Sequence, residues 1–292
     1  MRKDLRALLA TALLWTAAGC SNTDEIAGLG DISSRASTAL PLVSADVYHS
    51  CQRQSALQTR MTAGATLTVA LDCKPFQTLS AHLATDEAVL TDYMDALAKL
   101  ASSQGYTYGT AAGAAESALA GLSPAAGANP QMVADAQKAG TAAAALSAAL
   151  TGVLLRRARE RELRRLVLSS DEAVQALTSA LKTIAITDYK TVLDNEQGGL
   201  TAYYEAPLGM PKTDPLVTIL VQRQYDTDTA ALDRRRAAAA AYGVVMQDIG
   251  SLHAKLAAAA REPSTFVRKA TALAPDLTAL RQAVIQLQTE ES

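Results

Sequence analysis

The chain predicts an all-α fold, an elongated bundle of long antiparallel helices. Aromatic residues make up only 4% of the 292 residues while hydrophobic residues reach 49% and alanine is abundant. Sheets favour β-branched and aromatic side chains, whereas alanine is the strongest helix former. Apolar residues recur three and four positions apart along several segments, the spacing of one helix face. Short proline-marked connections between such segments imply antiparallel neighbours.

The first helix is read over residues 42–61, on Val43, Val47, Leu57 and Met61, with Cys51 on or beside that face. The alternation Leu67, Val69, Leu71 has no partner strand and is read as irregular or helical. Pro75 suits a first helical turn, and the seam Leu90, Tyr93, Leu97, Leu100 carries a helix to about residue 102. Ser123-Pro124, Asn129-Pro130 and Asp214-Pro215 each put a capping side chain before a proline at the first helical position. From residue 130 to about 206 the chain reads as one very long helix or two in series. Ser169 to Glu172 has the capping-box pattern that would mark the break. Val174, Leu177, Leu181 and Ile184 form the seam of this stretch.

Pro207, Pro211 and Pro215 enforce a turn, and a helix of about 70 Å is expected over residues 215–261. Its seam is Tyr242, Val245, Ile249, Leu252 and Leu256, and Pro263 ends it. The last helix buries Leu277, Leu280, Val284 and Leu287, with Pro275 starting or kinking it.

The N-terminus supplies an address. Arg2, Lys3 and Arg6 precede an apolar run from Ala7 to Ala18, ending in Ala17-Ala18-Gly19-Cys20. That run is too short to span a bilayer, which needs roughly 20 residues. The four residues resemble the lipobox of bacterial lipoproteins. The resemblance implies cleavage before Cys20, then a thioether diacylglycerol and an amide-linked acyl chain on Cys20. In a Gram-negative cell, Ser21 after the cysteine implies outer-membrane sorting. The expected domains are a signal peptide over residues 1–19, a lipidated flexible tether over 20–40, and one helical-bundle domain over 41–292.

Cys51 and Cys73 remain, an even pair in an oxidising compartment, and are expected as a disulfide. The sharper alternative is a metal site with His49 and His82, but the spacing matches no zinc signature. With 27 Lys+Arg against 29 Asp+Glu the chain is near neutral, which argues against nucleic acid as a partner. There is no H-E-x-x-H, G-x-S-x-G or P-loop, so neither a catalytic residue nor a cofactor is expected.

Three segments stand out as binding candidates. Residues 100–155 carry only three charges and end in a 17-residue uncharged Ala-rich run, either the centre of the bundle or a membrane-active segment. Arg156, Arg157, Arg159, Arg161, Arg164 and Arg165 follow, a block able to grip an anionic partner or to lie solvated with local ion pairs. The smaller cluster Arg234-Arg235-Arg236 is expected at a different height, so the two do not merge into one basic patch. Tyr203-Tyr204 and the following proline turn form a tip that packs locally or docks a partner. The expected function is a lipid-anchored, non-enzymatic envelope module that binds another envelope protein through helix surfaces. The alternative is a membrane-active helical protein using residues 100–155.

Overall fold

The computed structural model describes residues 24–61, 71–102, 129–153, 159–208 and 214–290. All of the long elements among them are helices, as expected. A short α1 (Asp24–Ala27) leads into α2 (Leu29–Met61). The expected tether is therefore corrected from residue 24 onward. Ile26, Leu29, Ile32, Ala36, Leu40, Val43 and Val47 are all buried, three or four residues apart. Burying a Leu or Ile contributes about 1.5–3 kcal/mol, so this seam outweighs the roughly 3 kcal/mol that Pro41 costs inside a helix.

Helix α3 (Lys74–Ser102) returns antiparallel to α2. Ser33 Oγ donates to the Thr91 carbonyl at 2.7 Å, Ser44 Oγ pairs with Glu87, and Cys51 is bonded to Cys73. The Cα atoms of the disulfide are 5.7 Å apart, and it ties the start of α3 to the middle of α2. The alternation from Leu67 falls mostly outside the described residues.

Helix α4 (Pro130–Val153) opens with the Asn129 side chain accepting from the Gln131 amide. It packs against α5 (Arg159–Thr183). The chain thus reverses between residues 153 and 159 rather than breaking at Ser169. Ser170 lies inside α5, fully buried, with its hydroxyl turned back to the Leu166 carbonyl. A π-helical turn, Ile184–Tyr189, joins α5 to α6 (Lys190–Leu208).

Helix α7 (Pro215–Ala260) has 46 residues, about 69 Å. It begins with the Asp214 side chain on the Leu216 amide and Pro215 in the first turn. It runs antiparallel to the whole of α5, the π turn and α6. Gln175 reaches the Gly250 carbonyl, Lys182 reaches Gln247, Arg235 reaches Glu196, and Tyr204 reaches Asp228. Gly243 and Gly250 permit this approach. A Cβ at Gly243 would sit 2.5 Å from Ile186 Cγ2, and one at Gly250 would sit 2.9 Å from Thr178 Oγ1. After Ala260 come a 3₁₀ turn (Pro263–Thr265), α8 (Phe266–Thr271) and α9 (Ala274–Glu290). Helix α9 lies on α7 and α2, with Lys255 on Asp276 and Arg281 on Asp31.

These pairings give the rod two unlike ends. The broad end gathers the start of α2, the end of α3, Arg164 of α5 and the end of α7. At the narrow end, at the level of Arg53, Glu196 and Arg235, the described helices are α2, α6 and α7. Helix α7 continues past the level of Met61 for about 20 Å.

Candidate functional site

At the narrow end the three helices enclose a cleft of about 200 Å³. Its deep wall is an ion-pair network. Arg53 of α2 donates to both oxygens of Asp46 at 2.8 Å and from Nε to Glu196 at 2.7 Å. Arg235 of α7 donates to the same Glu196 oxygen at 2.7 Å, and Ser50 donates to the other at 2.6 Å. The Tyr189 hydroxyl, turned inward at the end of the π turn, donates to Asp46. Burial disfavours the charged Arg53 guanidinium, but the Asp46 and Glu196 carboxylates outweigh it and raise its pKa. These charges neutralise one another and lock α2, α6 and α7 in register.

Arg60 and Asp228 also line the cleft, with Ala56, Leu57, Leu200 and Ala231 as its apolar wall. Asp228 accepts from the Tyr204 hydroxyl at 2.5 Å and from Gln224 at 2.9 Å, both neutral donors. Burial and the Asp228 carboxylate raise the pKa of Tyr204, while Arg60 opposes them. Arg60 and Asp228 thus flank one hydroxyl.

Beyond the cleft lies an exposed apolar tip. Leu216, Val217, Ile219 and Leu220 are 63%, 45%, 64% and 57% exposed. At 100° per residue they cover about 160° of the helix surface. Of the expected tip residues, the tyrosine pair packs locally. Tyr204 is buried, with the Tyr203 ring edge-on to it and the Tyr225 ring tilted against it, and residues 209–213 lie outside the described ones. The signal missed was the run Leu216-Val217-Thr218-Ile219-Leu220-Val221, too continuous for a single packing seam.

The arginine block is divided. Arg156 and Arg157 lie outside the described residues, as does the side chain of Arg159, which opens α5. Arg161 and Arg165 are exposed, Arg165 at 4.0 Å from Glu162. Arg164 is structural. Its Nε and Nη2 donate to the Ala260 carbonyl at 3.0 and 2.8 Å, capping the C-terminus of α7. Arg235 lies 25 residues before Ala260, about 38 Å along the helix. The two basic clusters are separate, as expected. Arg235 and Arg236 are drawn to carboxylates of α6.

The disulfide takes Cys51 and Cys73 out of any metal set. His49 is exposed beside Gln52, and among the described residues no three metal-ligating side chains converge. Cys20 lies outside the described residues.

Two polar clusters are buried in the broad half. Tyr93 OH is 2.6 Å from His253 Nε2 and 2.7 Å from Ser170 Oγ, and His253 Nδ1 is 3.3 Å from Asp171. This has the connectivity of a Ser-His-Asp triad, but Ser170 is fully buried and committed to the Leu166 carbonyl. Burial lowers the pKa of His253 against the pull of Asp171, so the neutral imidazole serves as an interhelical linker. In the second cluster, Glu87 accepts from Ser44 and Tyr242, whereas neither oxygen of Asp86 has a hydrogen-bond partner. Burial, with Glu87 adding to it, pushes Asp86 up to about 8, and burial alone drives Glu87 to about 7.

A broader groove of about 650 Å³ between α4 and α5 has a floor of alanine methyl groups, and its Lys138 is tied to Asp135 at 2.7 Å. The narrow-end cleft and tip therefore hold the more specific chemistry. No family model matches the chain, and neither a curated protein nor a solved structure matches it.

Proposed function

We propose that the protein is a lipid-anchored, non-enzymatic module of the cell envelope that holds a protein-binding tip away from its membrane. The observation that carries this reading is the polarity of the rod. Its first described helix starts at the broad end, and the exposed Leu216, Val217, Ile219 and Leu220 lie at the opposite end, about one α7 length away. An anchor on Cys20 sits four residues before Asp24, at most about 14 Å of chain. The broad end would then rest near the bilayer, with exposed Arg161 and Arg165 on the same side, suited to lipid phosphates. The tip would face a protein whose apolar groove accepts a convex helix face.

The membrane-active alternative finds less support. In the described half of residues 100–155, Ala136, Ala139, Ala143, Leu146 and Leu150 are buried in the core. Among the described residues no helix is long and apolar enough to cross a membrane.

The test is site-specific photo-crosslinking in intact cells, with the probe at Ile219 or at the exposed Val244 on the shaft. The reading expects one discrete adduct from Ile219, lost on Leu216→Asp, and none from Val244. Equal adducts from both positions, or an acyl-free N-terminus in mass spectra, would overturn it.

A further inference from the structure

We propose that the cleft between α2, α6 and α7 binds a zwitterion of amino-acid size, with its carboxylate on Arg60 and its ammonium on Asp228. The inference rests on which charges are left over. Arg53, Arg235, Asp46 and Glu196 pair among themselves, so the deep wall offers no net charge to a ligand. Arg60 and Asp228 line the same cleft, and among the described residues neither has an oppositely charged partner within ion-pair distance. Asp228 is held in place by the neutral Tyr204 and Gln224 side chains, which fix its position without cancelling its charge. One fixed anion on α7 and one free cation on α2, lining the same cavity, complement a molecule carrying both charges.

Size and lining narrow the ligand further. A cleft of about 200 Å³ is below the roughly 300–1,000 Å³ of pockets that take drug-sized molecules or cofactors. A free amino acid or a very short peptide remains. Ala56, Leu57, Leu200 and Ala231 give the side chain an aliphatic surface, which favours a branched apolar residue. This site is independent of the anchored-rod reading, because it needs neither the lipid nor the tip.

The test is equilibrium dialysis of the disulfide-intact protein against four probes: L-leucine, leucyl-leucine, N-acetyl-L-leucine and L-leucinamide. Retention of leucine or leucyl-leucine at one site is expected, with both blocked compounds at least about tenfold weaker. Leucine alone would identify a free amino acid as the source, and the dipeptide alone a peptide. Arg60→Gln, at the exposed end of α2, should weaken the retained probe by about tenfold or more with an unchanged urea midpoint. Asp228→Asn should do the same and restore parity between leucine and its N-acetyl form. No retention of either zwitterion at millimolar concentration would overturn the proposal. So would equal retention of the blocked compounds, or retention untouched by Arg60→Gln.

Discussion

Replacing Asp86 by Asn should stabilise the protein at both pH 6.5 and pH 8, by about 2 kcal/mol more at pH 8. Asp86 is completely buried on α3, with both carboxylate oxygens unpartnered. Its surroundings hold Glu87 beside it and His82 Nε2 at 3.9 Å. Burial first, and then Glu87, raise it from 3.8 to about 8. Between these two values the unfolded chain has lost the proton and the folded chain keeps it. Rising pH therefore weakens the fold, by about 1.4 kcal/mol per pH unit for one group.

Comparing wild type with the variant from pH 6.5 to 8 isolates this residue, because the other groups that titrate there are present in both. Glu87, at about 7, also titrates in the lower part of the window, but it does so in wild type and variant alike. His82 and His253 are lowered, mainly by burial, so both are neutral in the folded state throughout, while each unfolded imidazole, near 6.5, gives up about half a proton across the window and adds stability equally to wild type and variant. Over that window Asp86 alone should withdraw about 2 kcal/mol from the wild type. Asn has the shape of the protonated acid and does not titrate. Urea unfolding at the two pH values, followed by circular dichroism with the disulfide intact, measures the difference. A wild type equally stable at both, or a variant with the same loss, would show that Asp86 is not held protonated.

Two further outcomes follow from packing. Gly198→Ala meets nothing within 4 Å and should raise stability by up to about 1 kcal/mol through helix propensity, whereas Gly243→Ala drives its methyl against the branched Ile186 and should lower it by about 1–2 kcal/mol net. Thermal melts of the two variants should therefore move in opposite directions. Leu146→Asp places a charge at a fully buried position of α4 and should destabilise by several kcal/mol. A folded Leu146→Asp protein that loses an ability of the wild type to leak liposomes would instead favour the membrane-active reading.

The helical seams were legible because each long helix buries one continuous face. Leu90, Tyr93 and Leu97, Val174 to Ile184, Tyr242 to Leu256 and Leu277 to Leu287 are buried as the spacing predicts. Asn129-Pro130 and Asp214-Pro215 start helices because a capping oxygen and a residue lacking an N–H suit the same first turn. The N-terminal segment was misread because its polar residues outnumber its apolar ones. Ile26, Leu29, Ile32, Ala36 and Leu40 are sparse, but sparse residues at helical spacing suffice when neighbours on α3 and α9 cover them. The reversal between α4 and α5 was invisible for a different reason. No proline marks it, and its arginines are good helix formers, so local propensity argued for continuation.

The cleft shows a third kind of limit. Arg53 and Glu196 are 143 positions apart, and their pairing depends on three helices meeting in one register. Nothing local in the sequence distinguishes Arg53 from Arg60, although one closes a buried network and the other lines the cleft with no ionic partner among the described residues. The same holds among the clustered arginines. Arg164 became a helix cap and Arg235 a network member, while the adjacent Arg165 and Arg234 stayed at the surface. Charge clustering in sequence predicted neither role, because a helix sends consecutive side chains about 100° apart. In such a rod, the proposed functions rest on the charges and apolar residues that packing leaves over. Arg60, Asp228 and the face from Leu216 to Leu220 are those residues here, gathered at the end farthest from the proposed anchor.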